Sequence, residues 1–454
     1  MFRNRETHAR SPAHEVALDC LAAGIRGVDP ERATRSALSA TDGRLEIASD
    51  QRTSVPLADY DRILVLGGGK AAAGMVRAVD DCLGDRITDG LIVVPEDDPE
   101  VGESIGAVEI AGGGHPVPTP EGVDATERLL ELAESADERT LVLAVVTGGA
   151  SALLAAPAGD LSVGDLRRTS RALLDSGAEI GEINAVRKHL SRIKGGRLAT
   201  AVEPGTVVGL AISDVIGDAP SVIGSGPVAP DETTYEDALA VLTRYGVDVP
   251  EARTHLDAGS AGDYDETPGR DSTVADAITL VVASNRTAID AAAEAAREAG
   301  YEPCVLSARV RGGARDAAPT HVAIAEEAAV ADEPVEPPAV LLSGGETTVD
   351  VHGEGEGGPN TEFALAAALA LAEAPDDAGA TVVVASVDTD GRDGDTDAAG
   401  GLIDAGTVTD TDAAREALDR NDSLPFLDAR GAALVTGATG TNVDDLRVLV
   451  IPDN

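Results

Sequence analysis

The chain has 454 residues, with 80 acidic side chains against 35 basic ones, for a formal net charge of −45. That charge opposes nucleic-acid backbones and anionic membranes, and three Phe, five Tyr and no Trp leave few platforms on which bases could stack. Yet 43% of the residues are hydrophobic, which supports packed cores rather than disorder.

Only three lysines occur, Lys70, Lys188 and Lys194; every other basic residue is arginine. Acid excess, arginine over lysine and richness in Ala, Gly and Val fit a salt-adapted cytoplasmic protein. Molar salt shrinks the Debye length to about 3 Å and relieves self-repulsion. Cys20, Cys82 and Cys304 are widely spaced, follow no metal pattern and read as reduced, buried small hydrophobes. No apolar run approaches the roughly 20 residues that span a bilayer, and the first residues lack the apolar core of a signal peptide.

In chain order, short apolar runs predict strands at 63–66, 91–94, 141–146, 207–212, 278–283, 340–343 and 381–386. Ala-rich stretches predict helices at 71–82, 125–135, 361–373 and 413–422. The alternation predicts α/β architecture: two domains, each with a largely parallel or mixed sheet flanked by helices, the N-terminal one Rossmann-like. A polar Gly/Asp/Ser/Pro segment at 251–271 reads as a linker, giving domains 1–250 and 272–454.

Glycine-rich segments follow several of these strands. Gly67-Gly68-Gly69-Lys70 runs from strand to helix, where glycines admit a ligand backbone-close and helix amides favour anions. Its Gly67-x-Gly69-x-x-Ala72 spacing also satisfies a loose dinucleotide fingerprint, though a plain tight turn would look the same. Thr147-Gly148-Gly149-Ala150-Ser151 is a second such turn, and its amides and Ser151 suit an anionic ligand. Residues 184–197 hold five Lys and Arg, including Arg187, Lys188 and Lys194, and reverse the sign of the chain's charge locally. Asp214 and Asp218 follow a strand and suit either Mg²⁺ or a turn. Further on stand Ser343-Gly344-Gly345-Glu346-Thr347, then the acidic loop with Asp390, Arg392 and Asp393, which fails calcium-loop spacing, and last a Gly/Thr loop with Thr441 and Asn442.

Together the segments GGGKAAAGM, GGGHPVPTPEG, TGGASALL, EINAVRKHLSRIKGGRLA, ISDVIGDAPSVIGSGPVAPD, LLSGGETTVDVHGEG, TDGRDGDTDAAGG and TGATGTNVDDLRVL resemble the class II glycerate 2-kinases, whose C-terminal domain is called MOFRL. The resemblance spans roughly residues 15–451. It implies ATP-dependent phosphorylation of D-glycerate to 2-phosphoglycerate, with Mg²⁺, in a cleft between two α/β domains. It implies catalytic roles for Lys70, Asp390 and Asp393, and metal binding by Asp214, Asp218 and Asp390. Substrate or phosphate contacts are expected at Gly68, Gly69, Gly148, Gly149, Ser151 and Asn360, at Arg187, Lys188 and Lys194 from the local cation cluster, and at Arg392. Nucleotide contacts fall to Gly344, Gly345, Glu346, Thr347, Thr441 and Asn442. The expected partners are a small hydroxy acid and a nucleotide, with no nucleic acid and no membrane; a homodimer stays open.

One departure stands out. The family usually reads GGRNQE where this chain has Gly357-Gly358-Pro359-Asn360-Thr361-Glu362, so an arginine becomes Pro359, which has neither charge nor amide donor. Arg392 is the residue expected to compensate. Two other readings compete: an NAD(P)-dependent hydroxypyruvate reductase, and a ligand-binding protein descended from a kinase.

Overall fold

A computed structural model of the chain describes residues 1–49, 52–374 and 381–453. It forms two compact units, one continuous over Pro30–Val282 and one joining Met1–Asp29 to Ala283–Asn454. These differ from the expected boundaries. The 251–271 segment begins as a helix, Pro250–Ser260, with Ala252 and Leu256 buried in an apolar cluster. Its polar remainder is tied down as well: Tyr235 N–H donates to Glu266, and the Thr267 hydroxyl donates to Asp231. Polar composition marked a linker, but those polar atoms have buried partners.

The continuous unit starts with an antiparallel meander, β1 (Leu38–Thr41), β2 (Arg44–Ala48) and β3 (Arg52–Pro56). Its main sheet holds β4 (Arg62–Gly68), β5 (Asp89–Pro95), β6 (Ser104–Ile105), β7 (Val108–Gly113), β8 (Thr140–Val146), β9 (Thr206–Ile212) and β10 (Ile278–Ala283). The order is β10-β9-β8-β4-β5-β7-β6. The central pairs β9–β8, β8–β4, β4–β5 and β5–β7 are parallel, while β6 adds an antiparallel edge. Burial on both faces explains the continuous Val/Leu/Ile runs of β4 and β8. Helices Ala72–Leu83 and Pro120–Glu134 return the chain after β4 and β7.

The discontinuous unit carries β11 (Glu302–Val310), β12 (Ala339–Gly345), β13 (Val383–Asp388), β14 (Gly400–Asp404), β15 (Ala433–Leu434) and β16 (Asp445–Ile451), ordered β11-β12-β16-β13-β14-β15. Only β11–β12 is parallel. No helix crosses between β13 and β14, so they pair as a hairpin, and β16 inserts antiparallel between β12 and β13. The sheet is therefore mixed.

Helix Pro12–Gly27 joins this unit through close packing. A Cβ added at Gly24 would stand 2.4 Å from Leu446 Cδ2, and one at Gly27 would stand 2.6 Å from Ala291 Cβ of helix Asn285–Glu298. Arg10 and His14 both reach Asp404 Oδ2 at 3.2 Å, fastening the helix to the end of β14. These contacts, His14 first, hold the Asp404 carboxyl at about 2, below its ordinary 3.8. The clamp is complete above the unfolded pKa near 4 and is lost as pH falls through about 2. Asp404→Asn should cost about 2 kcal/mol at neutral pH and flatten the acid limb of the stability curve between pH 4 and 2. Urea unfolding across that range reads both effects.

Cys20 is buried as expected, whereas Cys82 and Cys304 are half-buried; all three are free. Among the described residues no helix is long and apolar enough to cross a membrane.

Candidate functional site

Strands β4, β8 and β9 are neighbours and parallel, so the segments after them share one end of the sheet, where open α/β sheets bind ligands. Gly69 has φ +135°, and a Cβ there would stand 2.1 Å from Thr147 Oγ1. Only glycine lets the two turns lock. Lys70 N–H donates to Gly148 O at 2.9 Å and Ala71 N–H to Thr147 Oγ1 at 3.1 Å.

Three ionisable side chains ring the second turn. A Cβ at Gly148 would meet Asp214 Oδ2 at 2.4 Å; one at Gly149 would meet His115 Cδ2 at 3.0 Å and Lys70 Cγ at 3.2 Å. Lys70 is exposed. Burial pushes the Asp214 carboxyl up, with Lys70 opposing. Burial and then Lys70 push the His115 imidazole down, so it stays neutral at pH 7. The amides of Gly148, Gly149 and Ser151 donate to no acceptor among the described residues. Open amides beside a cation make an anion site. Asp218 lies past Asp214 in a turn at φ +55°, half-buried. Among the described residues no group of three or more His, Cys, Asp or Glu is placed to hold a metal.

The cationic segment divides. Lys188 is 5% exposed, and its Nζ is 2.9 Å from Asp231 Oδ1, so an internal partner consumes its charge. Lys194 is buried with its Nζ on the Leu154 carbonyl at 3.0 Å. Arg187 is half-buried. The Ser151 hydroxyl bonds Ser225 at 2.6 Å, and Ser225 donates to Asn184 Oδ1 at 3.0 Å.

In the discontinuous unit several expected ligand contacts turn inward. Asp393 is fully buried: Oδ1 accepts from Asn360 N–H and Oδ2 from Thr361 N–H, both at 2.7 Å. It thus caps helix Pro359–Glu373, supplying the negative charge that a helix N-terminus attracts. Both carboxylate oxygens of Asp393 are thus engaged within the protein. Asn360 gives its side-chain amide to Asp445 Oδ1 at 2.6 Å and accepts from Ser386 at 2.6 Å. Thr347 N–H and hydroxyl both reach Asp445 Oδ2 at 3.0 Å. Gly344 and Gly345 are paired within the sheet opposite Leu446 and Asp445. The Glu346 amide goes to Val310 O and that of Thr348 to Gly312 O, so this turn offers no open amides from 346 to 348. The Thr441 hydroxyl is bound to Val28 O at 2.7 Å, and Asn442 Oδ1 caps its own turn at Asp444 N–H.

Two comparisons with family models match: a domain of unknown function (DUF4147) over residues 16–257, and the MOFRL family over 339–445. The D-glycerate 2-kinase of Thermotoga maritima is 38% identical over 93% of this chain and 99% of its own. A protein of Agrobacterium vitis, provisionally named hydroxypyruvate reductase, is 40% identical over 92% of each chain. The crystal structure of the Thermotoga maritima glycerate kinase superposes with a TM-score of 0.83, at 37% identity, over 96% of this chain and 99% of that one. The chain belongs to the MOFRL-containing glycerate 2-kinase family.

Within that glycerate 2-kinase framework, Pro359 opens its helix at a position that needs no amide donor. Arg392 does not fold back toward the protein: its side chain is 66% exposed, with Asp397 at 3.6 Å. Half-buried Asp390 accepts from Arg392 N–H at 2.7 Å and donates its own amide to Asp388 Oδ1 at 2.9 Å. Burial, then the Asp390 charge, pushes the Asp388 carboxyl well above its ordinary 3.8. Asp388 and His115 were missed from the sequence. Each had a signal: Asp388 ends a strand two residues before Asp390, and His115 follows the three glycines 112–114 at the end of β7.

Proposed function

We propose that the chain is an ATP-dependent glycerate 2-kinase, converting D-glycerate and ATP to 2-phosphoglycerate and ADP. The observation that carries this reading is the meeting of Lys70, Asp214 and His115 around the open amides of Gly148 and Gly149. Phosphoryl transfer asks little covalent chemistry of a protein and much charge stabilisation and positioning. Lys70 and the amides offer positive potential to the transferring phosphoryl group. The substrate 2-hydroxyl oxygen bonds to the γ-phosphorus, the bond to the ADP oxygen breaks, and the hydroxyl proton passes to neutral His115 at Nε2. Mg²⁺ is reached through one or two carboxylates plus phosphates and waters, so no larger acidic cage is needed. Asp214, beside the open amides, would hold that ion, with Asp218 nearby in the chain. When bound, the ion neutralises phosphate charge.

The test is ADP release from MgATP and D-glycerate in molar KCl, with the product read by phosphorus NMR. A 2-phosphoglycerate signal is expected. NADH oxidation by hydroxypyruvate without ADP release would instead establish the reductase reading.

A further inference from the structure

Two neighbouring cations in the continuous unit, one buried and one half-buried, have no acid partner among the described residues. Lys194 is 4% exposed, and its ammonium makes a single hydrogen bond, to the Leu154 carbonyl. Two of its three N–H groups therefore have no acceptor among the described residues. Arg187 has no hydrogen-bond or ion-pair partner among them either, and its charge acts directly on Lys194. In a chain with 80 acidic residues such pairing would be easy to supply; neighbouring Lys188 has it in Asp231. Holding a buried ammonium beside a half-buried guanidinium is costly unless a counter-ion completes them. Burial and then Arg187 pull the Lys194 ammonium down to about 7, in keeping with that deficit.

Their surroundings point to a small anion. Asn184 lies one helical turn before Arg187 on helix Ile180–His189 and joins the hydroxyl chain that ends at Ser151. Leu154, the carbonyl partner of Lys194, closes the short helix Ala150–Leu153 that begins at the open amides. Both cations are thus linked to the elements that follow the turn assigned to the phosphoryl group, Lys194 through Leu154 and Arg187 through its helix neighbour Asn184.

We propose that Arg187 and Lys194 form the subsite for the substrate's carboxylate, separate from the Lys70 turn. The identity of the substrate, a small 2-hydroxy acid, rests on the kinase reading; the subsite itself rests on the unpaired cations.

The test uses the full chain with Arg187→Gln, Arg187→Lys and Lys194→Met. In Arg187→Gln and Lys194→Met the KM for D-glycerate should rise at least about tenfold, equal to about 1.4 kcal/mol, with the KM for ATP within about twofold. Arg187→Lys should recover part of the loss. Calorimetric titration of D-glycerate without nucleotide should show the same weakening. Lys194→Met should also raise the melting temperature of the free protein, because it removes an uncompensated buried charge; a merely structural lysine would lower it. Unchanged D-glycerate binding in folded Arg187→Gln and Lys194→Met overturns the subsite, as does a rise confined to the KM for ATP. If Lys194→Met does not fold, the half-buried Arg187 pair of variants carries the test. A wild type that binds D-glycerate through these cations without phosphorylating it sinks the kinase reading and keeps the subsite. A wild type that phosphorylates D-glycerate while both variants keep its KM does the reverse. A wild type that does neither overturns both.

Discussion

Lys70→Ala should lower kcat for D-glycerate phosphorylation by about 10²–10³-fold, the usual cost of removing one donor aimed at developing charge. The expectation is clean because of how the residue is held. Its amide locks the turn by bonding Gly148 O, and any residue can make that bond. Its side chain is exposed and makes no hydrogen bond or ion pair among the described residues. Truncation should therefore leave the melting temperature within about a degree while turnover collapses. Lys70→Arg should restore little, because a forked guanidinium does not reproduce a compact ammonium. Retention of more than about a tenth of the wild-type rate in Lys70→Ala would remove the lysine from the chemistry.

Arg447→Met should be the most destabilising single change in the discontinuous unit, by about 3–5 kcal/mol in denaturant titration. Arg447 is fully buried in the middle of β16. Its Nη2 meets Asp445 Oδ2 at 2.5 Å and the Thr347 hydroxyl at 2.7 Å, and its guanidinium carbon sits 4.7 Å from the Phe363 ring centre. Removing the cation strands the Asp445 carboxylate in the core, where it also acts on Asp388 and Asp393. The pair's net worth is smaller than that loss, because Arg447 Nε and Nη1 have no partner among the described residues. The double variant Asp445→Asn with Arg447→Met should accordingly recover at least half of the stability lost by Arg447→Met alone. A cost below about 1 kcal/mol for Arg447→Met would show the network to be incidental.

The contrast between these two residues says what a sequence discloses. Lys70 was legible because its neighbours in the chain, three glycines between an apolar run and a helix, already define its setting. The parallel strands β4, β5, β8 and β9 were legible for the same local reason, since burial on both faces writes an uninterrupted apolar run. Antiparallel β16 and half-buried β11 were not singled out, nor was the crossing of helix Pro12–Gly27 to the C-terminal half. That crossing depends on Gly24 meeting Leu446, a contact no local pattern carries. The same blindness affected the site. Lys188, Asn360, Thr347 and Asp393 all have ligand-binding chemistry and suitable neighbours. Their partners, Asp231 and Asp445 among them, come from distant segments and take up that chemistry internally. A residue type states a capacity, and burial decides who uses it.

The burial of Lys188 and Lys194, at 5% and 4% exposure, has a practical consequence. Lys70 is left as the one lysine amine the chain shows to solvent, beside the amino group of Met1. Coupling through amines, routine for fixing a protein to a sensor chip or attaching a dye, would thus fall either on Met1 or on the turn proposed to hold phosphate. On that proposal, molecules held through Lys70 would bind no substrate however well the protein had folded. The half-exposed thiol of Cys82 or Cys304 is the safer handle.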